Sequence, residues 1–377
     1  MNFFNDEIHQ DMIDVYRDFA KNSCEPIAAE LDEQERFPEE NIPVMAEMGL
    51  LGIPFPEEYG GHGLGITEAA LMMQTISQSG AGLSGASAVH MNIFGLHPVV
   101  VFGTDEQKRR WLPPLIAGKD RACFAVTEPD AGLNTLKLST RARYEPGADG
   151  GHYVVSGQKI WISTAQVADR MLLLARTTDL EEVKKPTQGL SLFYTALDRS
   201  RVRVSEIEKM GRKAIDSNEL FIDGLEIPVE DRIGEEGRGF EYILHGMNPE
   251  RVLIAAEAVG LGQAALRRAA DYARERVVFN RPIGKNQAIA HPLAQNWIEL
   301  EAAWLMTMKA AWEYDQGLPC GASANAAKWL AGEAGFNACQ QAVMTHGGFG
   351  YAKEYHVERY LREVMIPRIA PVSPQLV

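Results

Sequence analysis

Apolar residues recur at helical spacing through the first third of the chain, as in DMIDVYRDFAKNSC and TEAALMMQTISQS, with Pro and Gly breaks between the runs. From about residue 119 to about residue 230 the pattern changes to short strand-like runs, among them RACFAVT, RMLLLAR and GLSLFYTA. Long helical runs return from about residue 238, for example in ANAAKWLAGEAGFNACQQAVMTHGG. The pattern therefore predicts helices, then strands, then helices.

This order predicts an α+β protein with three domains. Several short strands divided by turn signals favour a β-sandwich or barrel over a parallel βαβ sheet. The segment GEEGRGF, residues 234–240, is the expected boundary before the last helical part. The predicted domains are an N-terminal helical domain (1–118), a middle β domain (119–232) and a C-terminal helical bundle (238–377).

Composition narrows the class of partner. A hydrophobic share of 46% in 377 residues supplies a large core, and the net charge of −14 argues against nucleic acid or an anionic membrane as the main partner. No apolar run reaches the length of a membrane span, and the first residues lack the character of a signal or transit peptide. Four scattered cysteines fit a reducing compartment, so we expect a cytoplasmic protein.

The common sequence motifs for nucleotide, metal and nucleophile sites are either absent or lie in the wrong predicted secondary structure. GLGQAA, beginning at Gly260, lies inside an Ala-rich helical run with no strand before it, which favours a close helix-packing point over a dinucleotide site. The sequence has no GxxxxGK[ST] phosphate loop, no HExxH and no His/Cys cluster with zinc spacing, so no metal site is predicted. The GxSxG nucleophile motif is also missing.

Three segments combine unusual residues with strand ends or glycines. CFAVTEPDAGLNT predicts a strand that runs into a turn, whose N–H groups could bind an anion or the edge of a planar ring, or simply end the strand. GQKIWISTAQ places Trp161 and Ser163 on the same face of a strand. Trp161 could form an aromatic surface beside the Ser163 hydroxyl, or it could simply be a core tryptophan. RERVVFNRPIGKNQAIAHPLA is a basic helix end that could contact phosphates or only solubilise a helix terminus.

In this order, the three segments resemble the acyl-CoA dehydrogenase family of flavoproteins. The resemblance covers essentially the whole chain and also includes PEEYGGHGLG near residue 60 and the late HGGFGYAKEYHVERYLRE. It implies a helical N-terminal domain, a middle β domain and a C-terminal four-helix bundle. It also implies FAD as cofactor and a homo-oligomer, a tetramer or a dimer.

The resemblance implies a role for individual positions around FAD. Thr127 would bond the pyrimidine side of the flavin, Trp161 would cover one face of the ring and Ser163 would reach the N5 region. Arg276, Phe279 and Gln287 match positions that bind the FAD of a neighbouring subunit. The implied cofactor positions are Phe124, Val126, Thr127, Gly132, Leu133, Trp161, Ser163, Arg276, Phe279, Gln287, Met344, Gly347, Gly348, Ser373 and Gln375.

Two cofactor positions depart from the family pattern, and three residues are implied to contact substrate. Leu133 stands where many members have a serine, and Met344 replaces a glutamine that commonly contacts FAD. Leu133 is also an implied substrate contact. Asn248 and Arg251 match positions that touch the CoA moiety.

Glu250 has two interpretations. The local sequence NPE predicts the N-terminus of a helix, with Asn248 as N-cap and Pro249 at the first helical position. In this interpretation Glu250 only complements the helix dipole. In many family members the catalytic base lies near the C-terminus, where this chain has Pro371 in RIAPVSPQ. A smaller set carries the base in the first turn of the bundle helix, at the position of Glu250. The resemblance therefore implies that Glu250 is the base, and that Pro371 lacks the N–H that helps polarise the thioester carbonyl in relatives.

The resemblance implies FAD-dependent α,β-dehydrogenation of an acyl-CoA thioester to the trans-2-enoyl-CoA, a step of fatty acid metabolism, with electrons passed to an electron-transferring flavoprotein. Two alternatives remain open: a flavin-dependent monooxygenase or oxidase on the same fold, and a flavin-containing protein that only binds another macromolecule. Glu250 disfavours both, since neither needs a carboxylate at that position. The length and branching of the acyl chain are left open.

Overall fold

The computed structural model describes residues 7–94, 96–147 and 150–377, with the backbone alone for 92–94. Helices occupy the first part of the chain, strands the middle and helices the last part, which confirms the predicted α+β arrangement. The exact domain boundaries remain a prediction. Among the described helices, none combines the length and the apolar character needed to cross a membrane.

Short helices build the N-terminal part. The last of them begins at a capping box, in which Thr104 Oγ1 accepts the Gln107 N–H at 3.2 Å and Gln107 Oε1 accepts the Thr104 N–H at 2.9 Å. The helices are α1 (Glu7–Phe19), α2 (Ala28–Gln34), α3 (Asn41–Glu47), α4 (Ile66–Ile76), α5 (Gly82–Phe94), α6 (His97–Phe102) and α7 (Asp105–Ile116).

The middle part forms one connected sheet. Its order is β6-β7-β3-β2-β4-β5-β8, with β1 paired in parallel to β4. Most neighbours are antiparallel, and β3 pairs with β7 with an irregularity between Lys159 and Ile162. The strands are β1 (Ala122–Ala125), β2 (Arg141–Glu145), β3 (His152–Ser163), β4 (Arg170–Arg176), β5 (Leu190–Ala196), β6 (Val202–Glu206), β7 (Ser217–Pro228) and β8 (Arg232–Ile233).

Strand β4 is buried on both faces. Leu172 and Leu174 pack with residues of α7, such as Trp111, whereas Met171 and Leu173 belong to a second apolar cluster within the sheet. A strand covered on both sides reads as a continuous apolar run instead of an alternating one. This burial explains the run MLLLA, and it attaches the sheet to the N-terminal helices.

Three long helices dominate the C-terminal part, and two short helices, α12 and α13, pack against α11. The hairpin β9–β10 joins α9 to α10, with Phe279 and Asn280 at its turn. The elements are α8 (Gly239–His245), α9 (Met247–Glu275), β9 (Val277–Val278), β10 (Arg281–Pro282), α10 (Gln287–Asp315), α11 (Gly321–His346), α12 (Val357–Glu363) and α13 (Met365–Ile369).

Helix α9 is the centre of a core shared by both helical parts. Met73 and Ile76 of α4 lie in the same apolar cluster as Leu253 of α9 and Ala334 of α11. A Cβ at Gly260 would lie 2.3 Å from the Gln74 carbonyl oxygen, so the glycine permits close approach of α4 to α9. The predicted role of this glycine as a helix-packing point is thus confirmed.

The predicted N-terminus of α9 is wrong by two residues. Gly246 precedes the helix, so Asn248 is its second residue and Pro249 its third, and Asn248 makes no capping bond. Helix α8 ends at His245, and the backbone of this junction already supplies acceptors, since the Glu250 N–H donates to the Gly246 carbonyl at 3.1 Å. A side-chain cap is therefore not needed. Glu250 remains in the first turn, as expected.

Candidate active site

Two of the segments singled out in the sequence lie side by side. The Ile160 N–H donates to the Thr127 carbonyl at 2.9 Å, which joins the turn after β1 to the end of β3. Phe124 is half-buried and Val126 is buried on this edge. The chain thus brings the strand exit and the residue before Trp161 into direct contact.

A buried ion pair fixes this junction. Lys159 Nζ donates to the Val126 carbonyl at 3.0 Å, to Glu128 Oε1 at 2.9 Å and to the Leu174 carbonyl at 2.8 Å. Glu128 also accepts the Thr140 N–H at 2.9 Å. Burial alone would raise the pKa of Glu128, but Lys159 and the hydrogen bonds outweigh it and lower that pKa to about 2. Burial lowers the pKa of Lys159 to about 8, against the pull of Glu128.

Trp161 and Ser163 flank the buried Ile162 at the end of β3. The Trp161 side chain is 58% exposed, and its φ of +62° is a left-handed conformation that bulky residues rarely adopt. Ser163 Oγ accepts a hydrogen bond from Arg212 at 2.7 Å. Arg212 is buried, and its Nε lacks a hydrogen-bond partner in the described parts of the chain. An aromatic surface therefore stands open beside an oriented hydroxyl.

The turn after β1 is open as well. Gly132 is exposed, a Cβ added to it would meet no atom within 4 Å, and Leu133 is 55% exposed. The turn is closed by two backbone hydrogen bonds between Glu128 and Ala131, at 3.1 and 3.2 Å. The two hydrogen bonds thus fix the backbone of the turn, while Gly132 and Leu133 remain accessible to solvent.

A second group of predicted positions lies on an exposed part of the helical bundle. Phe279 is 94% exposed at the tip of the β9–β10 hairpin, Met344 is 67% exposed, and Gln287 is exposed at the start of α10. The Arg276 guanidinium lies 5.6 Å from the ring centre of Phe349. This contact ties the basic helix end to the glycine loop that follows α11.

Gly347 and Gly348 lie at the start of that loop, with open space around both. Within residues 7–94, 96–147 and 150–377, no hydrogen bond or ion pair connects this second group to Trp161 or to Ser163. The arrangement agrees with the expectation that the two groups serve different copies of the cofactor, which remains a prediction.

The C-terminal segment lies against α11. Lys328 is 1% exposed, and its Nζ donates to the Val372 carbonyl, next to Pro371. Burial and Arg251 lower the pKa of Lys328 to about 8, while Glu333 and Glu250 act against this shift. Ser373 is half-buried and Gln375 is exposed. Lys328 thus holds the C-terminal segment against α11, and it also interacts electrostatically with Glu250.

Glu250 is buried at 8% exposure, and one of its oxygens is fixed. Oε2 is paired with Nε2 of His90, from α5. Oε1 has no hydrogen-bond partner among the residues that the structure describes. One carboxylate oxygen is therefore held in place while the other stays available.

A second carboxylate lies on the far side of the same ring. Nδ1 of His90 pairs with Oε1 of Glu257, and Glu257 Oε2 accepts the Ser87 hydroxyl at 2.8 Å. Burial alone would lower the pKa of His90, but the two carboxylates outweigh it and raise that pKa to about 10. Glu250, His90 and Glu257 form a buried row, which we call the carboxylate–imidazole row.

The implied CoA contacts adjoin Glu250. Asn248 Oδ1 accepts a hydrogen bond from Arg251 at 3.2 Å. The Arg251 Nε is buried without a partner in the described chain, and burial lowers the pKa of this guanidinium against the pull of Glu250. A buried donor without an acceptor fits a site that a polar ligand completes.

Several residues around this candidate site were not found from the sequence. His90 and Glu257 are single titratable residues inside the apolar runs GASAVHMNIF and VLIAAEAVGLG, and Glu257 follows Glu250 by seven residues, which is two helical turns on one face. That pattern could have marked them. Arg212 and Lys159 carry no comparable signal, because their partners are distant in the sequence.

Comparisons with known proteins identify the family of this chain. Residues 6–119 match the acyl-CoA dehydrogenase N-terminal domain, 123–225 the middle domain and 237–371 the C-terminal domain. The chain belongs to the acyl-CoA dehydrogenase family. This membership confirms the expected class of flavoprotein oxidoreductase and FAD as the expected cofactor.

Individual relatives span nearly the whole chain. Acyl-CoA dehydrogenase fadE12 of Mycobacterium bovis is 40% identical over 88% of this chain and 84% of its own. The butyryl-CoA dehydrogenase structure from Megasphaera elsdenii has a TM-score of 0.93 at 29% identity, covering 100% of this chain and 97% of that one. A chain from a structure of the electron transferring flavoprotein of Acidaminococcus fermentans has a TM-score of 0.92 at 31% identity, with the same coverage.

Proposed function

We propose that this acyl-CoA dehydrogenase oxidises an acyl-CoA thioester between its α and β carbons to the trans-2-enoyl-CoA, with Glu250 as the base. The observation that carries the proposal is the state of Glu250, a buried carboxylate with Oε2 fixed by His90 and Oε1 without a partner in the described chain. The alternative position for an acid holds Pro371, which has no ionisable group.

The residues present fit a flavin. The exposed indole of Trp161 and the open turn at Gly132 offer surfaces for a planar ring, and Ser163 Oγ offers a polar contact oriented by Arg212. When bound, FAD supplies the acceptor for the hydride that leaves the β carbon. The electrons then pass to an electron-transferring flavoprotein, a partner class supported by the similarity to the A. fermentans chain.

The role of the protein is to remove the α-proton. Glu250 Oε1 accepts that proton, so that the α carbon–hydrogen bond breaks as the double bond forms. Arg251 and Asn248, adjoining the base, would bind the polar part of the thioester ligand. Pro371 has no N–H to donate, so the thioester carbonyl must be polarised by another donor.

We also propose a homo-oligomer. Ile298, Leu305 and Trp312 follow one another at intervals of seven residues on α10 and are 59%, 54% and 45% exposed. Large apolar side chains in one stripe of a helix are typical of a surface that a partner covers. A second copy of the chain would also bring Phe279 and Arg276 to a neighbouring cofactor.

Glu250→Gln tests the proposal because it keeps the shape of the side chain and removes its basicity. The variant should retain FAD and bind acyl-CoA, but the rate of flavin bleaching by a saturated acyl-CoA under anaerobic conditions should fall by orders of magnitude. Glu275→Gln, at the exposed end of the same helix, is the matched control and should bleach normally. Normal bleaching by Glu250→Gln would place the base elsewhere.

The same titration separates the alternative activities. Bleaching of the wild-type enzyme by saturated acyl-CoA without oxygen or another reductant supports a dehydrogenase. Bleaching only by a separate reductant would support a monooxygenase instead. A protein that bleaches with neither would be a binding protein.

A further inference from the structure

We propose that His90 and Glu257 are positioning residues that orient Glu250 and keep it ionised until substrate arrives. This inference rests on the proposed role of Glu250 as the base. It concerns residues that do not touch the reacting atoms and act only through Glu250. The argument starts from the hydrogen-bond geometry of one imidazole ring.

Both ring nitrogens of His90 face a carboxylate oxygen. Nε2 pairs with Glu250 and Nδ1 pairs with Glu257, and an ionised carboxylate can only accept hydrogen bonds. A neutral imidazole has one N–H, so it can satisfy only one of the two. With both carboxylates ionised, the geometry therefore assigns the imidazolium form, with an N–H on each nitrogen, to His90.

The far end of the row is anchored. Glu257 is 0% exposed, and its second oxygen accepts the Ser87 hydroxyl at 2.8 Å. Ser87 and His90 are three residues apart on α5, while Glu250 and Glu257 are seven apart on α9. Each of the two helices thus supplies two residues of this hydrogen-bonded chain, which holds the His90 ring between the two carboxylates.

Other charges face the row. Arg212 is attracted to both Glu250 and Glu257, so it is a second cation, beside His90, that interacts with the two carboxylates. Besides Arg212, the charged groups that interact with the row or with Arg212 are Lys209 and Asp216 from the β6–β7 connection, Arg251 from α9, Lys328 from α11 and Glu363 from α12. Removing the charge of His90 would leave two carboxylates opposite Arg212.

This arrangement suits a base in a closed site. An acyl chain that excludes water would favour the protonated carboxyl of Glu250, and the adjacent imidazolium opposes that change. The α-proton of substrate goes to Oε1, while the His90 Nε2–H stays on nitrogen and keeps its bond to Oε2. No proton passes to Glu257, whose role is to hold the second N–H.

A measurement on the wild-type enzyme tests the charge of His90 without any substitution. The chain has nine histidines, and ¹⁵N-histidine NMR distinguishes rings with one proton from rings with two. Ordinary imidazoles lose their second proton near pH ~6.5. One ring should keep both protons through at least pH ~8.5. Spectra in which no ring does so would overturn the proposal.

The kinetic test compares His90→Asn with wild type over pH. Asn can still donate one hydrogen bond but carries no charge, so the acidic limb of the anaerobic bleaching rate should move to higher pH by at least about one unit. That shift corresponds to about a tenfold loss on the acidic limb. A lower rate with an unmoved limb would indicate a structural role only and would refute the inference.

Two hydroxyl variants give a matched pair in case His90→Asn does not fold. Both serines lie on α5. Ser87→Ala removes the hydrogen bond to Glu257, whereas Ser84→Ala removes a hydrogen bond of 2.9 Å to Glu363 of α12. Ser87→Ala should slow bleaching about fivefold, the equivalent of one ordinary hydrogen bond, and Ser84→Ala should not. Equal effects of the two variants would contradict the proposal.

The outcome for Glu250→Gln separates the two levels of the argument. If that variant bleaches normally, the proposed function fails and the role of His90 with it. If it loses bleaching while the limb of His90→Asn stays in place, only the positioning role fails.

Discussion

Lys159 and Glu128 form an ion pair inside the middle domain, with 2.9 Å between Nζ and Oε1 and exposures of 0% and 4%. The pair lies beneath the junction between the turn after β1 and the end of β3, and its lysine also holds the carbonyl of Val126. The position of Trp161 therefore depends on two residues that do not face the predicted cofactor.

Lys159→Met should destabilise the protein by about 3–5 kcal/mol, because it leaves the carboxylate of Glu128 buried without its cation. The variant should also bind FAD more weakly, since the junction is no longer fixed. Urea unfolding and FAD titration measure the two effects. Lys309→Met removes an ion pair between a half-exposed lysine and Glu313 on α10, and it should cost less than about 1 kcal/mol. Similar losses in both variants would refute the structural role of Lys159.

The stability of the fold should decrease in acid as Glu128 becomes protonated. Its pKa in the fold is about 2, below the ordinary value of 4.5. A lowered pKa contributes stability that is present in full above about pH 4.5 and is lost as the pH falls toward 2. Urea midpoints at several pH values in this window should decrease for wild type and decrease less for Glu128→Gln. Parallel decreases would assign the effect to other carboxylates.

Gly260→Ala should separate α4 from α9. The added Cβ would meet the Gln74 carbonyl oxygen at 2.3 Å, and a backbone atom cannot move away cheaply, so we expect a cost of about 1–3 kcal/mol. Gly321→Ala is the control because it has open space at the start of α11, and it should be neutral or slightly stabilising. Thermal unfolding of both variants provides the comparison. A neutral Gly260→Ala would refute the close-packing role.

Phe279→Asn should weaken FAD binding without harming the fold. Phe279 and Asn280 form the two-residue turn of the β9–β10 hairpin, with φ values of +52° and +63°, and asparagine adopts such angles more readily than phenylalanine. We expect equal or higher thermal stability together with an FAD affinity at least about tenfold lower, the loss of an aromatic anchor. Tyr351 is also a highly exposed aromatic residue, at 89%, and Tyr351→Asn should leave the affinity for FAD unchanged. Unchanged affinity in Phe279→Asn would remove this residue from the predicted cofactor site.

The order of helices and strands could be predicted because the local spacing of apolar residues differs between the two. The run MLLLA predicted a strand, and the Ala-rich run after Glu250 predicted a helix, as observed. The start of α9 could not be predicted, because a second helix, α8, ends immediately before it and supplies backbone acceptors in place of an Asn248 cap. Local capping signals do not report such a neighbour.

The residues that surround Glu250 could not be predicted from the sequence for a different reason. His90 lies 160 positions from Glu250 along the chain, so only the packing of α5 on α9 brings them together. Arg212 reaches Ser163 from a connection between strands, and no periodicity marks such a contact. The sequence identified a candidate base, whereas its hydrogen-bond partners follow from tertiary structure.

The shared core around α9 bears on how this protein unfolds. Tyr16 and Met73 from the beginning of the chain lie in one apolar cluster with Leu253 and Ala334 from its end, and the buried Glu363 of α12 accepts hydrogen bonds from the start of α5. Neither helical segment retains a complete interior without the other. The two should therefore melt together in a single cooperative calorimetric transition, and a fragment that ends before α9 should lack a stable native state.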